Sequence, residues 1–240
     1  MKKFLDILLM PFVALLFFSC GPAEIGDTFN FTFDNIYTVN KHAVVAEDGD
    51  SLIDINNMEN TNYKTGDRAY MILRYYYDYN VMTRPHCDIY YAGEVIPTRS
   101  LSAKDSIDAG EYAAPIDSLH RYDFLDRSVS PVWVMKNRQN MNISYYGTKE
   151  NASFAMTVCG IDEDCIELDL HAKAPRNGDE RNKILLSFDI SNIGDFLTDE
   201  QKDSLSSKET LRTKISFTRE FNGETKRVSI IGGEFANPFK

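Results

Sequence analysis

Basic runs, metal-ligand spacings and nucleotide-binding glycine patterns are missing from this chain. Lys and Arg number 26 against 36 Asp and Glu, so the net charge is −10. Nucleic acid binding depends on Lys and Arg that neutralise phosphates, and a chain this acidic is a poor candidate for it. The histidines stand singly, without the His-x-His, His-Glu-x-x-His or Cys-x-x-Cys spacings that place ligands around a metal; they are His42, His86, His120 and His171. We expect no nucleic acid partner, no metal and no cofactor.

Catalytic signatures are missing as well. The sequence has no Gly-x-Ser-x-Gly elbow, no phosphate-binding glycine loop and no dinucleotide fingerprint. Acidic residues cluster at Asp162, Glu163 and Asp164, in a predicted loop tip where water keeps them solvated. Glycoside hydrolysis instead needs two carboxylates facing each other across a sugar, one of them desolvated. We assign no catalytic residue and expect a non-enzymatic protein, with a hydrolase that uses Asp and Glu side chains as the alternative.

The N-terminus has the pattern of a secretion signal at residues 1–19. Lys2 and Lys3 precede an apolar run of 13 residues at 7–19, which is shorter than the roughly 20 that a spanning helix needs. The residues before Cys20 resemble a loose lipobox, which predicts cleavage there and lipidation of Cys20. Two or three acyl chains hold a protein firmly on a membrane. We therefore expect a lipid-anchored protein of the cell envelope, positioned at the outer membrane.

Alternating apolar residues recur along the rest of the chain, and this period of two is typical of half-buried strands. They predict an all-β fold with two domains, a small OB-like β-barrel at 28–97 and an antiparallel β-sandwich at 131–240. Residues 20–27 are expected to form a tether. Residues 98–130, rich in Ser, Asp, Ala and Pro, predict a linker or lid, with a short helix at 116–125.

The predicted strands are short and bounded by turns. Those of the barrel are 29–39, 42–46, 52–55, 69–77 and 88–96. Those of the sandwich are 132–135, 141–146, 153–159, 165–172, 184–190, 211–217 and 226–235. The motif Thr198-Asp199-Glu200-Gln201 has the form of a capping box and predicts one short surface helix at 199–207.

Several stretches together resemble the NigD-like family of envelope lipoproteins. They are the signal with Cys20, Glu47-Asp48-Gly49-Asp50, Tyr63-Lys64-Thr65-Gly66-Asp67-Arg68, Ile143-Ser144-Tyr145-Tyr146-Gly147 and residues 184–191. The resemblance implies an N-terminal OB-like barrel followed by a C-terminal β-sandwich. The family's name derives from gene neighbourhoods linked to bacteriocins, so the resemblance also raises an accessory or immunity factor as an alternative function. It supplies no catalytic residue.

Tyrosines dominate one predicted barrel strand and recur on the next. In a strand, side chains alternate between faces, so one set can fill the barrel while the other stays exposed. Exposed tyrosines suit stacking on sugars or a protein interface, whereas cross-strand aromatic packing explains the pattern without a ligand. Both interpretations remain open. The possible ligand-binding residues are Tyr75, Tyr76, Tyr77, Tyr79, Tyr90 and Tyr91.

The cysteines offer one possible disulfide. Cys159 and Cys165 flank five residues that could form a hairpin loop, which would place the two side chains opposite each other. A disulfide there and two free thiols are both open. Cys87 stands beside His86, but neighbouring strand residues point to opposite faces, so we expect Cys87 to act as a small buried hydrophobe.

The triplets Asp-Ser-Leu and Asp-Ser-Ile occur four times and resemble a short O-glycosylation acceptor of some Gram-negative envelopes. The serines concerned are Ser51, Ser106, Ser118 and Ser204. Asp-Ser is also ordinary turn and cap chemistry. The sequence thus predicts a lipid-anchored binding or scaffolding protein, attached to a membrane through Cys20, with an unknown protein or glycan partner.

Overall fold

The computed structural model describes residues 28–78, 86–125, 127–149, 152–173 and 180–240. The fold is all-β, as the alternation of apolar residues predicts, and its strands form one barrel-like sheet and one larger sheet. The expected signal at 1–19, the lipidation site Cys20 and the tether at 20–27 lie outside the described residues.

The first half forms a five-stranded antiparallel sheet that curls into a nearly closed barrel, in the order β3-β2-β1-β4-β5. Its strands are β1 (Thr28–Asn40), β2 (Ala43–Ala46), β3 (Leu52–Asp54), β4 (Arg68–Asp78) and β5 (His86–Val95). The chain just after β3 closes the sheet onto β5. The backbone N–H of Asn56 donates to the carbonyl of Cys87 at 2.9 Å, and the Asn57 amide exchanges two hydrogen bonds with the backbone of Ile89.

Apolar side chains from alternate positions fill the barrel. The buried members are Tyr37, Val39, Val44, Ile55, Met58, Ala69, Met71, Leu73 and Cys87. Cys87 is therefore a buried residue of the core, and burial raises the pKa of its thiol to about 11. A side chain that resists ionisation and lies among apolar neighbours is a packing residue.

The described residues of the second half form twelve strands, most of them in one large sheet. They are β6 (Thr98–Ser100), β7 (Ser102–Ala103), β8 (Ile116–His120), β9 (Tyr122–Asp123), β10 (Ser128–Val129), β11 (Val132–Met135), β12 (Arg138–Tyr146), β13 (Ser153–Asp162), β14 (Cys165–Lys173), β15 (Arg181–Asp189), β16 (Thr210–Phe221) and β17 (Glu224–Ala236). The large sheet encloses a core that includes Tyr145, Phe154, Phe188 and Leu168. Most pairs are antiparallel, while four are parallel: β6 with β15, β7 with β13, β8 with β16 and β14 with β16.

Residues 98–130, expected to be a linker or lid, contribute strands to the large sheet. Its pairing order is β6-β15-β12-β8-β16-β14-β13-β7, so β6 and β7 lie at opposite ends of the order although one residue, Leu101, separates them in the chain. The two ends of the sheet therefore meet at Leu101, which is buried. This segment joins the edges of the sandwich.

The prediction of a short helix at 116–125 is wrong. Residues 116–120 form β8, which pairs antiparallel with β12 and touches β16 through the pair Ile116 and Arg219. Two neighbouring strands supply its hydrogen-bond partners, and such tertiary pairing overrides weak local preferences.

The surface helix is confirmed as α1 (Asp199–Leu205). Its capping box is formed, because Thr198 accepts from the Gln201 N–H and the Gln201 side chain accepts from the Thr198 N–H. Leu205, in the last turn of α1, is buried in the sandwich core and holds the helix against it.

An apolar cluster joins the two halves. Its buried members are Ile36, Ile96, Phe124 and Trp133, and partly buried Tyr70, Tyr122, Val129, Met135 and Leu185 pack around them. Ile36 and Tyr70 come from the barrel, whereas Trp133 and Leu185 come from the sandwich. The halves therefore share a small core and hold a defined relative position.

Candidate functional site

A groove of about 290 Å³ runs between the barrel and the sandwich, beside the apolar cluster that joins them. Three tyrosines contribute aromatic surface, the backbone around Pro97 contributes a wall, and two lysines and a glutamate stand among the lining residues. The tyrosines and charged residues of the lining are Tyr70, Tyr91, Tyr122, Glu94, Lys149 and Lys183. We call this the aromatic groove.

The tyrosines of the aromatic groove form a row that leads from solvent into the shared core. The Tyr91 ring, 52% exposed, lies 6.1 Å from Tyr70, and Tyr70 lies 5.7 Å from Tyr122 edge to face. Tyr122 stacks on Trp133, with ring centroids 5.6 Å apart and an interplanar angle of 29°. These are the offset and edge-to-face geometries that aromatic rings prefer. The row is rigid at its buried end and open at Tyr91.

Hydrogen bonding fixes the central ring of the row. The Tyr70 hydroxyl donates to Asp34 Oδ2 at 2.9 Å, and the same oxygen accepts the Leu125 N–H at 2.5 Å. Burial, followed by the bond and charge of Asp34, raises the pKa of Tyr70. Burial raises the pKa of Tyr122 to about 12. Both hydroxyls stay neutral at physiological pH and cannot serve as bases there.

Charged side chains stand at the rim of the aromatic groove. Lys149 of the sandwich forms an ion pair with Glu94 of the barrel, with both side chains largely exposed, so the pair bridges the two halves. Exposed pairs contribute less than about 1 kcal/mol, so this bridge can open without a large cost. Lys183 lines the same groove from β15.

The tyrosines singled out from the sequence separate into different surroundings. Tyr75 points into the barrel mouth, where it stacks on Phe31 at 5.1 Å. Tyr76 and Tyr90 lie on the outer wall, where the Arg74 guanidinium covers the Tyr90 ring at 3.8 Å and hydrogen-bonds with Tyr76. Tyr91 alone of this set lines the aromatic groove. The side chain of Tyr77 and the whole of Tyr79 lie outside the described residues.

Sequence reasoning missed most of the aromatic groove. Tyr70 shares the outward parity of Arg74 and Tyr76 on β4, a signal that the sequence already contained. Tyr122 lay in the segment expected to be a linker, and Lys149 and Lys183 carried no motif. These residues come from distant segments and meet only where the barrel packs against the second half.

A second cleft, of about 550 Å³, contains two carboxylates whose pKa values shift in opposite directions. Burial raises the pKa of Glu47, although the charge of Arg68 opposes this. Burial would also raise the pKa of Asp189, but hydrogen bonds from Ser191 and the charge of Arg138 outweigh it, so that pKa is lowered. Glu47 Oε2 is buried and has no hydrogen-bond partner. Both carboxylates form ion pairs with arginines.

The possible disulfide between Cys159 and Cys165 is not formed, and both thiols are free. The hairpin turn holds only Glu163 and Asp164, so the cross-strand partner of Cys165 is Asp162. Cys159 falls at the register shift between Val158 and Gly160. The prediction assumed a five-residue loop, and the shorter turn with its bulge moves the two cysteines out of register.

The four candidate glycosylation serines differ in access. Ser51, Ser106 and Ser204 are exposed, whereas Ser118 is half-buried on β8. The Ser118 hydroxyl contacts Asp117 Oδ2 and His120 Nε2, each at 2.8 Å, and accepts from Arg181 at 3.1 Å. A hydroxyl held in this way is a poor acceptor, so the exposed Ser51, Ser106 and Ser204 are the better sites. Modification stays a prediction.

Metal-binding clusters and membrane-crossing helices are both absent from the described residues. No group of three or more His, Cys, Asp or Glu residues within them could hold a metal ion. No helix in the same part of the chain is long and apolar enough to cross a membrane.

Comparison with known proteins shows the fold without naming a function. No family model and no curated protein sequence matches the chain. A crystal structure from Bacteroides fragilis, provisionally described as a lipoprotein, is similar with a TM-score of 0.57 and 12% identity, over 84% of this chain and 97% of that one. At this identity the likeness establishes the fold alone.

Two further solved structures share the fold. One, from Parabacteroides distasonis and provisionally described as toxin-related, gives a TM-score of 0.56 at 12% identity, over 87% of this chain and 96% of that chain. The other, an uncharacterised protein from Parabacteroides merdae, gives a TM-score of 0.54 at 12% identity, over 86% of this chain and 98% of that chain. The NigD-like family itself is not confirmed by these matches. The fold is thus shared with uncharacterised proteins, one of them provisionally described as a lipoprotein.

Proposed function

We propose that this protein is a lipid-anchored, non-enzymatic binding protein of the cell envelope, and that its aromatic groove binds carbohydrate. The observation that carries the proposal is the row from exposed Tyr91 through Tyr70 to Tyr122, set in a groove between two domains. Grooves between domains are preferred positions for ligands.

The size of the aromatic groove favours a small ligand over a folded protein. Its volume of about 290 Å³ is at the lower limit of the roughly 300–1,000 Å³ typical of small-molecule sites. A stable protein interface buries about 800 Å² on each partner and is usually flatter. One or two sugar rings at the end of a longer glycan match the groove better.

The chemistry of the aromatic groove also favours carbohydrate. A sugar ring presents C–H groups on its face and hydroxyls at its edge. An exposed tyrosine ring suits the face, and the charged groups of Glu94, Lys149 and Lys183 can hydrogen-bond with the edge. The raised pKa of Tyr122 and the hydrogen-bonded hydroxyl of Tyr70 leave neutral, fixed rings, suited to stacking and unsuited to proton transfer.

The only tryptophan of the chain provides a direct assay. Trp133 stacks on Tyr122, so a ligand in the aromatic groove is expected to change its emission. The mature protein should be titrated with defined hexasaccharides of glucose, xylose, N-acetylglucosamine and galacturonic acid. A saturable emission change with at least one of them supports the proposal.

Two tyrosine variants make the assay specific. Tyr91→Ala is expected to weaken binding by roughly tenfold, because one stacking contact contributes about 1.4 kcal/mol and this energy corresponds to a factor of ten in affinity. Tyr90→Ala is the matched control, since Tyr90 is a neighbouring exposed tyrosine outside the aromatic groove. Absence of a saturable response to every saccharide, or equal loss in both variants, would contradict the proposal.

The alternative hydrolase has one location available, the cleft with Glu47 and Asp189. Opposite pKa shifts on two carboxylates can mark an acid and a base. The ion pairs of Glu47 with Arg68 and of Asp189 with Arg138 favour a structural role instead. Release of reducing ends from the same saccharides, lost in Asp189→Asn, would support the hydrolase.

We infer the anchor from residues 1–20 and from the motifs that resemble the NigD-like lipoproteins. The proposed position is the outer membrane, with lipid on Cys20. Treatment with globomycin, which blocks the lipoprotein signal peptidase, is expected to leave the precursor uncut. A Cys20→Ala chain that still partitions into detergent would contradict lipid anchoring. The alternative of an accessory or immunity factor would gain support from a bacteriocin gene beside this one.

A further inference from the structure

The sheet face that borders the aromatic groove continues beyond it along β15. Ile184 packs against the sandwich core, whereas Leu185 packs into the apolar cluster that joins the halves, so the odd-numbered residues here point away from the core. Lys183 and Arg181 have the same parity as Leu185, and both are exposed. Residues two apart on a strand share a face and lie roughly 7 Å from each other. Lys183 lines the aromatic groove, and Arg181 extends its surface outward.

Two neighbouring strands add residues to the same face. Lys183 is opposite Ser144 of β12, and Ser144 is opposite Ser118 of β8. Directly opposed residues of paired strands share a face. His120 lies two residues after Ser118, and its Nε2 is 2.8 Å from the Ser118 hydroxyl. We call the surface formed by Arg181, Lys183, Ser118 and His120 the cationic face.

One lysine joins the cationic face to the aromatic groove. Lys149, on the other side of the groove, pairs with Glu94, and Arg181 pairs with Asp117. Lys183 forms no ion pair with any residue that the structure describes. Carboxylates outnumber cations in this chain of net charge −10, yet none of the described ones neutralises this lysine. The anionic group of a ligand would supply the missing counter-ion.

The positive charges of the cationic face act on one region of space. The Arg181 guanidinium donates to the Ser118 hydroxyl at 3.1 Å and lies 3.3 Å from His120 Nε2. Burial lowers the pKa of His120, and the charges of Lys183 and Arg181 lower it further. His120 is therefore neutral at physiological pH and can hydrogen-bond with a ligand without a change of charge. The lysine and the arginine both lie close enough to His120 to interact with one bound chain.

An acidic sugar matches both parts of this surface. Its ring face can stack on Tyr91 while a carboxylate or sulfate at the ring edge accepts a charge-assisted hydrogen bond from Lys183. The exposed pair between Lys149 and Glu94 contributes less than about 1 kcal/mol, so Lys149 can turn to the same anion at small cost. A neutral sugar would use the aromatic rings alone.

We propose that the carbohydrate bound in the aromatic groove is acidic, with its carboxylate or sulfate at Lys183 and the rest of the glycan directed along the cationic face towards Arg181. This rests on the proposed binding of carbohydrate by the aromatic groove. It adds the class of sugar and names Lys183 as the residue that selects it.

The test compares hexasaccharides that differ only in charge, with the emission of Trp133 as the readout. Hexagalacturonate is titrated beside its fully methyl-esterified form, and a sulfated galactan hexasaccharide beside its desulfated form. At least one anionic member is expected to bind roughly tenfold more tightly than its neutral partner, the effect of one hydrogen bond to a charged group. This preference should disappear when the salt concentration is raised from about 50 mM to about 500 mM. The pair that shows it identifies the anionic group.

Three lysine variants locate the effect. Lys183→Gln is expected to weaken binding of the anionic hexasaccharide by roughly tenfold and to leave that of its neutral partner nearly unchanged, whereas Lys183→Arg keeps the preference. Lys208→Gln is the matched control, because Lys208 is an exposed lysine that does not line the aromatic groove.

The outcomes separate the two proposals. Equal affinity for the charged and neutral members of both pairs, or equal losses in Lys183→Gln and Lys208→Gln, overturns the acidic ligand and leaves carbohydrate binding intact. No saturable response to any saccharide overturns the carbohydrate site, and the acidic ligand with it.

Discussion

Arg68 of the barrel donates a hydrogen bond to Asn140 of the sandwich at 3.1 Å while it forms an ion pair with Glu47, and all three side chains are buried. The same guanidinium donates to Thr98 at 2.8 Å. One arginine therefore satisfies groups from both domains. This arginine therefore links the two halves, and its planar guanidinium offers its donors in fixed directions.

Removal of that arginine should destabilise the whole molecule. Arg68→Ala leaves the Glu47 carboxylate buried without its counter-ion, a change that typically costs 3–5 kcal/mol. Urea unfolding at pH 7.5 measures the loss. Arg127→Ala is the matched control, because its ion pair with Asp48 is exposed and should contribute less than about 1 kcal/mol. Equal losses in the two variants would show that Arg68 has no special role.

Close backbone packing at Gly232 makes a second prediction. A Cβ at this position would overlap the Thr213 hydroxyl and approach Gln139 Oε1 to 3.3 Å. Thr213 and Gln139 are buried and bonded to each other at 2.6 Å, so neither can move freely. Gly232→Ala is expected to cost about 1–3 kcal/mol in unfolding free energy. Gly49→Ala, with open space around it, should change stability little; a neutral Gly232→Ala would refute the overlap.

Turn strain at Glu163 offers a stabilising change. Glu163 has a φ of 55°, a left-handed conformation that costs a residue with a Cβ about 1–2 kcal/mol. Glu163→Gly removes this strain, but glycine also has a greater conformational entropy in the unfolded chain, which offsets part of the gain. The unfolding free energy is therefore expected to rise by about 0.5–1 kcal/mol. Asp164→Gly, next to it but without a positive φ, should lower stability. Thermal unfolding of both variants decides the sign.

Burial of His171 predicts a dependence of stability on pH. Desolvation lowers the pKa of His171, whose ring contacts the Thr157 hydroxyl at 3.0 Å. The unfolded chain then binds a proton more readily than the folded one, so stability falls as pH decreases below about 6.5. His171→Gln should show a smaller loss between pH 7.5 and pH 5.5. A slope equal to that of the parent, or an equal change in the exposed His42→Gln, would contradict this.

The free thiols can be counted directly. Without reduction, denatured mature protein should take up iodoacetamide at Cys87, Cys159 and Cys165. In the folded state Cys87 should react slowest, because it is 1% exposed and burial raises its pKa to about 11. Mass spectrometry after short and long labelling gives the order. Failure of Cys159 and Cys165 to label after unfolding would reveal a disulfide.

Long strands were predictable from the sequence because a buried face imposes a period of two. The barrel strands expected at 29–39 and 69–77 match β1 and β4 to within about a residue at each end. Hairpin turns were harder to predict from the sequence than long strands. Asn222-Gly223 carries the sequence signature of a tight turn, whereas Lys41 and Lys136 adopt the same positive φ without one.

The remainder depended on contacts between distant segments. The short strands β7 and β8 take their conformation from the strands they join, and the sequence pattern did not predict them. The aromatic groove has the same origin. Tyr91 was identifiable as an exposed aromatic candidate, but its neighbours Tyr70 and Tyr122 became neighbours only when two domains packed together.

The strands on either side of Leu101, β6 and β7, affect how the sheet edges are exposed to other molecules. Open sheet edges offer unpaired N–H and C=O groups to any passing chain, and this is a common origin of aggregation. Here β6 occupies the outer side of β15 at 187–189, and β7 occupies that of β13 at 157–158. These parts of the two edges are therefore closed to pairing with a strand of another molecule. A single six-residue stretch, 98–103, thus covers part of an edge at each end of the sheet.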